Sequence, residues 1–420
     1  MNESPLTITH FSTADTYGGA ARCAYRIHEG LRALGHTSRM LVSRKDSTDP
    51  DVDTVYGTEA GRLANRLAEE VGRTTGRQYQ VVPSTRRTLR HAWTQHPSIF
   101  QLFNTHGGYL STNILPKLSA RAPVVWWLAD MWALTGHCAY SGGCMRWRTG
   151  CGSCPDLMTY PGIDRDTTAW LFQQKAKVYA KTDLTIVAPS TWTERMARES
   201  PLLGKFPLHR IPNGLDLTAF RPVDRIAARA HFNLPADAPI ILFAAHVIDH
   251  NVRKGVPQLI TALNRATLPP GTTLVLMGEG AAGWSSQVKI ETRLLGNLSS
   301  DDALAAAYSA ADLFAAPSTE DNLPSTVLES MACGVPAVAF DVGGIKDAVR
   351  HDRTGYLARP TDVADFANGL ETLLADSDRR VALGAAARRL MEIEFSADLQ
   401  ARRFEELYRD LVARRARASH

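Results

Sequence analysis

Asp321-Asn322-Leu323-Pro324-Ser325-Thr326-Val327-Leu328-Glu329, running on into Ser330-Met331-Ala332-Cys333-Gly334-Val335-Pro336, sets two acids eight positions apart around the start of a helix. Pro324 suits the first helical turn, where its missing N–H costs no hydrogen bond. Val327, Leu328, Met331 and Ala332 recur at the spacing of one buried helical face. Gly334 predicts the helix stop and Pro336 prevents its return. Val335 to Phe340 then reads as a short buried strand. The unpaired N–H groups at such a helix start carry partial positive charge and attract an anion such as phosphate. Glu329, in the second turn, is placed to accept hydrogen bonds from a diol, although a helical acid more often faces solvent. The stretch suits a ligand with phosphate at one end and hydroxyls at the other.

Around it the chain alternates strand and helix, twice over. Leu6 to Phe11 reads as a strand, followed by Gly18-Gly19, a helix from Ala20 to about Leu34 capped by Gly35, and a strand from Thr37 to Ser43. A second series starts with a strand at Pro239 to Ala245. It continues with a helix near Pro257 to Asn264, a strand at Thr272 to Met277, a helix at Asp301 to Ala311 and a strand at Asp312 to Ala316. Such alternation predicts parallel sheets with helices on both faces, and ligands at the carboxyl ends of the strands. At 420 residues two domains are expected. With 44% hydrophobic and 21% charged residues the composition is that of an ordinary globular protein, and a net charge of +4 gives no case for nucleic acid. No apolar run approaches the roughly 20 residues of a membrane span, and the N-terminus lacks a basic-then-apolar leader, so a cytoplasmic location is expected.

The acid pair in this setting resembles the acid-x7-acid signature of retaining glycosyltransferase family 4, and the likeness runs over nearly the whole chain. The resemblance implies a GT-B fold: α/β, two Rossmann-like domains facing an interdomain cleft. It implies an acceptor-binding domain at 1–208, a nucleotide-sugar domain at 209–400 that begins near His209-Arg-Ile-Pro-Asn-Gly214, and a last helix at 401–420 crossing back to the first domain. It assigns Glu329 to the ribose hydroxyls of a nucleotide sugar, and Asp321, with Asn322, Leu323 and Pro324, to the donor sugar. The commoner family form has Glu first; spacing selects Asp321 over the adjacent Glu320.

Other segments carry weaker signals. Gly18-Gly19 opens the first helix and lets backbone approach a sugar or phosphate closely; the resemblance places this loop against donor phosphates. Arg253-Lys254 follows the first strand of the second domain and suits a diphosphate, with Arg as a fork and Lys as a point charge. The Arg that usually precedes that Lys by several residues in the family is here Arg253 or is replaced by His246. Gly278-Glu-Gly280-Ala-Ala-Gly283 matches a dinucleotide fingerprint, but Trp284-Ser-Ser opens no patterned helix and no acid ends a second strand, so a dehydrogenase reading fails. His106, in Phe103-Asn-Thr-His106-Gly-Gly-Tyr109, lies just past a strand at Ser98 to Leu102. In Val124-Val-Trp-Trp-Leu-Ala129-Asp130 the family form has His immediately before the Asp; here that position is Ala129. Asp130 remains as a candidate polar group at the reacting centre, or as a helix cap.

Four of the six cysteines, Cys138, Cys144, Cys151 and Cys154, fall in one loop at 137–155, with Cys151-Gly-Ser-Cys154 as a C-x2-C pair. Four thiols there suggest a structural zinc site, with free thiols or redox pairs as the other reading. Cys23 and Cys333 read as buried packing residues. Between Gly61 and His91 stand Arg62, Arg66, Arg73, Arg77, Arg86, Arg87 and Arg90 against Glu69 and Glu70, with Leu63, Leu67 and Val71 at helical spacing. Such a segment is either a solvated helix face or a peripheral contact with an anionic membrane.

Taken together, the resemblance implies a hexosyltransferase that moves a sugar with retention from a nucleoside diphosphate donor, UDP favoured, without a catalytic cofactor or metal. The expected acceptor is a saccharide or lipid-linked saccharide of polysaccharide or lipopolysaccharide assembly. Asp130, Arg253, Lys254, Asp321 and Glu329 carry the expected chemistry, and Gly18, Gly19, His106, Asn322, Leu323 and Pro324 contact substrate. The alternatives are a catalytically silent scaffold subunit, motivated by Ala129, and a nucleotide-sugar epimerase on the same fold.

Overall fold

A computed structural model describes residues 4–248 and 252–418. The chain divides into two compact units, 1–212 with 398–420, and 213–397.

The first unit is built on seven strands: β1 (Thr7–Ala14), β2 (Thr37–Arg44), β3 (Val52–Thr54), β4 (Ile99–Leu102), β5 (Val124–Trp127), β6 (Leu184–Ala188) and β7 (Leu208–Arg210). Their order across the sheet is β3-β2-β1-β4-β5-β6-β7, with every pairing parallel. Strands β4, β5 and β6 are buried along their whole length, as expected for a parallel sheet covered on both faces. The expected boundary at 208/209 falls inside β7, which pairs with β6, so the first unit keeps residues up to Pro212. The last helix, Ala397–Ala418, starts earlier than position 401. Phe404, Leu407 and Tyr408 recur at three and four residues, and they join Ile8, Ile27 and Ile99 in one core cluster. The Tyr408 hydroxyl donates to Gln101 Oε1 at 2.8 Å, which satisfies the polar end of a buried ring.

The second unit has six strands: β8 (Ile240–Val247), β9 (Thr273–Glu279), β10 (Glu291–Gly296), β11 (Leu313–Ala316), β12 (Ala337–Phe340) and β13 (Gly355–Ala358). They lie in the order β10-β9-β8-β11-β12-β13, again all parallel. Both units are thus Rossmann-like α/β domains. In each sheet the strand order reverses once, between β1 and β4 and between β8 and β11. Neighbouring crossovers there leave on opposite faces, so their loops diverge and open a crevice at the carboxyl ends.

Candidate functional site

The second unit gathers its predicted residues at its reversal point. Beyond β8 the 3-10 turn Val252–Lys254 carries Arg253 and Lys254; beyond β11 the chain reaches Ser318 to Asp321. Asp321 Oδ2 accepts from Lys254 Nζ at 2.7 Å and Arg253 Nη1 at 2.9 Å, and Oδ1 accepts the Asn322 N–H at 3.0 Å. Arg253 also donates to the Glu320 carbonyl at 2.8 Å and receives the Thr319 N–H, which locks the two loops together. Burial pushes the Asp321 carboxyl up, but Lys254 and Arg253 override it and hold its pKa down at about 2. The cations expected to meet a diphosphate therefore hold an acid. Glu320 is only half-buried, and His246 is exposed.

Pro324 is the N-cap in extended backbone rather than the first helical residue, and the helix is Ser325–Ala332. The shift is one of backbone angle, since Pro324 at ψ 126° is extended while its fixed φ and missing N–H are tolerated at either position. Gly334, at φ 76°, closes the helix, with Val335 N–H bonded to the Ser330 carbonyl. Residues Val327 through Ala332 are all buried, so Glu329 is not a solvated acid: it is 6% exposed and accepts the Tyr308 hydroxyl at 2.8 Å. Asn322 and Leu323 are buried before it, and Asn213 Nδ2 donates to the Leu323 carbonyl at 3.0 Å.

Two residues of this site carried no sequence signal of their own. Tyr308 orients Glu329 from the preceding helix, Asp301–Ala310. Gly343, beyond β12, sits at φ +58°, and a Cβ there would stand 1.6 Å from the Asp321 carbonyl oxygen. The Gly344 N–H bonds that same oxygen at 3.1 Å. By contrast Gly278, the first glycine of the dinucleotide-like run, packs β9 on β8: its Cβ would lie 1.7 Å from the Ala245 carbonyl oxygen. The helix after it, Ala282–Ser285, is a single turn, too short to present a phosphate-binding end.

The first unit assembles a second constellation at its own reversal point. Gly18 is the N-cap at φ 86° and Gly19 opens the helix Gly19–Ala33. Asp15, missed in the sequence, anchors this loop: its carboxylate accepts N–H groups from Thr16, Asp46 and Ser47. Beyond β4 and β5, His106 Nε2 lies 2.8 Å from Asp130 Oδ2, and Asn104 Nδ2 donates to the same oxygen at 3.0 Å. Asp130 Oδ1 accepts the Trp132 N–H at 2.9 Å, so the carboxylate also caps the turn Trp132–Leu134. The imidazole beside Asp130 thus comes from the neighbouring strand end, while the preceding position is Ala129. Tyr160 and Trp132 flank His106, their ring centroids 5.4 and 6.0 Å from its own. Glu69 is a third acid here; burial, then Glu70, pushes its pKa up.

The four loop cysteines line a separate cavity of about 40 Å³. Among the described residues no three His, Cys, Asp or Glu side chains are placed to hold a metal ion. Cys23 and Cys333 are buried, Cys333 as the residue just past its helix. No helix among the described residues is long and apolar enough to cross a membrane.

Comparison with known proteins places the acid-pair site in a recognised domain. Residues 224–390 match the family model described as glycosyl transferases group 1. The second unit carries a glycosyltransferase group 1 domain. A D-inositol 3-phosphate glycosyltransferase from Xylanimonas cellulosilytica is 36% identical over 198 residues, which cover 43% of this chain and 46% of that protein. The chain spans about half the length of the curated relatives it matches. Two solved structures share the fold end to end. Sucrose-phosphate synthase from Thermosynechococcus elongatus is 21% identical with a TM-score of 0.69, over 97% of this chain and 99% of that one. The HepE protein of Anabaena, in complex with UDP and glucose, is 17% identical with a TM-score of 0.68, over 96% and 99%. The group 1 domain and this likeness give the architecture as GT-B.

Proposed function

We propose that this protein is a retaining hexosyltransferase using a UDP-sugar. The observation that carries the reading is the cluster of Arg253, Lys254, Asp321 and Glu329 at the reversal point of the group 1 domain's sheet. A buried carboxylate oriented by the Tyr308 hydroxyl suits a ribose diol, and two cations on the adjacent loop suit a diphosphate. The HepE structure holds UDP and glucose on the same fold, which supports a uridine donor. When a diphosphate arrives, Arg253 and Lys254 exchange Asp321 for phosphate oxygens, and Asp321 becomes free to accept sugar hydroxyls. As the glycosidic bond breaks, negative charge grows on the leaving phosphate, and the two preset cations stabilise it. That phosphate then takes the proton of an acceptor hydroxyl attacking from the same face, which retains the anomeric configuration. His106 and Asp130 are assigned to the acceptor side, and Gly18 and Gly19 to a close backbone approach to sugar or phosphate. The acceptor is proposed to be a saccharide or lipid-linked saccharide.

Calorimetric titration with UDP-, GDP- and ADP-sugars, followed by product analysis with the bound donor, tests this. One UDP-sugar is expected to bind selectively and to give an α- or β-linked product matching its own anomer. Binding without turnover would favour a silent subunit, and an altered sugar without acceptor an epimerase. No binding to any donor by folded protein would sink the reading.

We further propose that the acceptor is met at an anionic membrane surface. The helix Glu59–Thr75 leaves Leu63, Leu67 and Val71 57%, 60% and 60% exposed at four-residue spacing, beside Arg62, Arg66 and Arg73. The protein should pellet with phosphatidylglycerol vesicles and not with phosphatidylcholine ones. L63E together with L67E should abolish pelleting; equal pelleting by the double variant would refute the contact.

A further inference from the structure

Residues 128–167, between β5 and the helix Thr168–Tyr179, contain no strand among the described residues and only two 3-10 turns, Trp132–Leu134 and Arg146–Arg148. A segment this long without regular structure needs a tie of another kind, because each ordered residue costs about 1–2 kcal/mol of backbone entropy. The backbone folds the segment onto itself through left-handed residues at Gly142, Gly143, Gly150, Cys151, Gly152 and Ser153. Two of these are not glycine: Cys151 at φ 58° and Ser153 at φ 46°, inside the C-x2-C pair. L-residues occupy that region only where their surroundings hold them there. The outcome is that Cys138, Cys144, Cys151 and Cys154, all free thiols, line one cavity together with His137 and Arg146.

The polar groups around the cavity face its sulfurs, and burial pushes the thiols of Cys138, Cys151 and Cys154 up, so each keeps its proton until a cation displaces it. The Gly136 N–H donates to Cys151 Sγ at 3.2 Å, and an amide aimed at a sulfur stabilises a thiolate. His137 Nδ1 faces the Pro161 carbonyl at 3.2 Å, and since a carbonyl only accepts, Nδ1 carries the proton. Its Nε2 therefore keeps a lone pair and points at Cys154 Sγ, 3.4 Å away. Arg146 on the wall places positive charge close by, while Lys175 beneath donates to the Trp132 and Thr135 carbonyls at 2.5 and 3.0 Å and has its pKa pushed down by burial to about 7.

We propose that Cys138, Cys144, Cys151 and Cys154 bind one thiophilic divalent cation of the Zn²⁺ class, and that this metal cross-links the segment. The four sulfurs enter as thiolates, so binding releases their protons to solvent, and Arg146 on the wall offsets part of the resulting charge of two minus. The side chains line the cavity without converging on one point. Loading therefore couples to rotation of the cysteines about χ1 and closure of the glycine-flanked turns. The segment supplies Trp132 and Tyr160, the rings that flank His106, so the metal also fixes one wall of the first unit's site.

The protein purified under reducing conditions without chelator, and dialysed against Zn²⁺, is expected to hold one zinc per chain by elemental analysis. Replacing it with Co²⁺ should give sulfur-to-metal charge-transfer bands and the visible spectrum of a tetrahedral site. C151S and C154S should each lose the metal and expose the segment to trypsin, while C23S, in the helix Gly19–Ala33, keeps both metal and protection. Should the cysteine variants fail to fold, the Co²⁺ spectrum of the wild-type protein decides alone. Wild-type protein that stays metal-free after dialysis, with all four thiols equally reactive towards a disulfide reagent with and without chelator, would overturn the site. So would the four sulfurs paired as disulfides in peptides from protein kept under those reducing conditions.

Discussion

Glu329→Gln is expected to weaken UDP-sugar binding by between about tenfold and a hundredfold while the protein stays folded. The glutamine can still accept the Tyr308 hydroxyl now bonded to Glu329 Oε2 at 2.8 Å, so the buried position remains satisfied. What it cannot do is accept two ribose hydroxyls on an ionised group. A hydrogen bond to a charged acceptor is worth about 1.5–3 kcal/mol, which corresponds to that range of affinity. Tyr308→Phe is the companion: it removes the orienting hydroxyl, keeps the carboxylate, and should cost less binding than the glutamine variant. Calorimetry with the selected donor reads both. If Glu329→Gln binds as wild type while its melting midpoint falls, the carboxylate serves the fold and the ribose assignment is wrong.

Gly343→Ala is the second large effect expected. An alanine at φ +58° is strained, and its Cβ would overlap the Asp321 carbonyl oxygen at 1.6 Å. Strain and overlap together are expected to cost roughly 3 kcal/mol. The relief available is to push Asp321 away from Lys254 and Arg253, so donor binding should drop along with stability. Gly271→Ala is the control in the same unit. It stands at φ +76° with no atom nearer than 3.8 Å, so it carries strain without overlap and should cost about 1 kcal/mol with donor affinity intact. Denaturant unfolding and donor titration on both variants separate the two effects. Equal losses in the two would show that the loop does not press on Asp321.

Much of this was readable because its causes are local. The helix at Ser325–Ala332 follows from its apolar spacing and its Pro and Gly ends; the strands near Ile240, Thr273 and Leu313 follow from short apolar runs between breakers. The strand–helix alternation led to two parallel sheets because a parallel pair cannot be joined without a crossover. The errors at element ends, such as Pro324 as cap rather than first turn and the last helix beginning before position 401, are of one or a few residues. Terminal residues depend on single hydrogen bonds that composition does not report.

The site was legible as a set of residue types, and the tertiary structure decided what each one touches. The resemblance to an acid-x7-acid signature picked out Asp321 and Glu329, since eight positions on one chain are a local relation. That Lys254 and Arg253 would close on Asp321 depends on β8 and β11 lying side by side at the reversal point, 67 and 68 positions apart. His106 and Asp130 meet because β4 and β5 are neighbours, and the Trp132 N–H makes Asp130 the cap that the sequence offered as one of two readings. Gly343 had no signal at all, because a glycine's purpose here is set by a carbonyl from another loop. Periodicity, caps and turn residues act within a few positions and survive in any sequence reading. Contacts across crossovers are chosen by sheet order and packing, which exist only once the chain has folded.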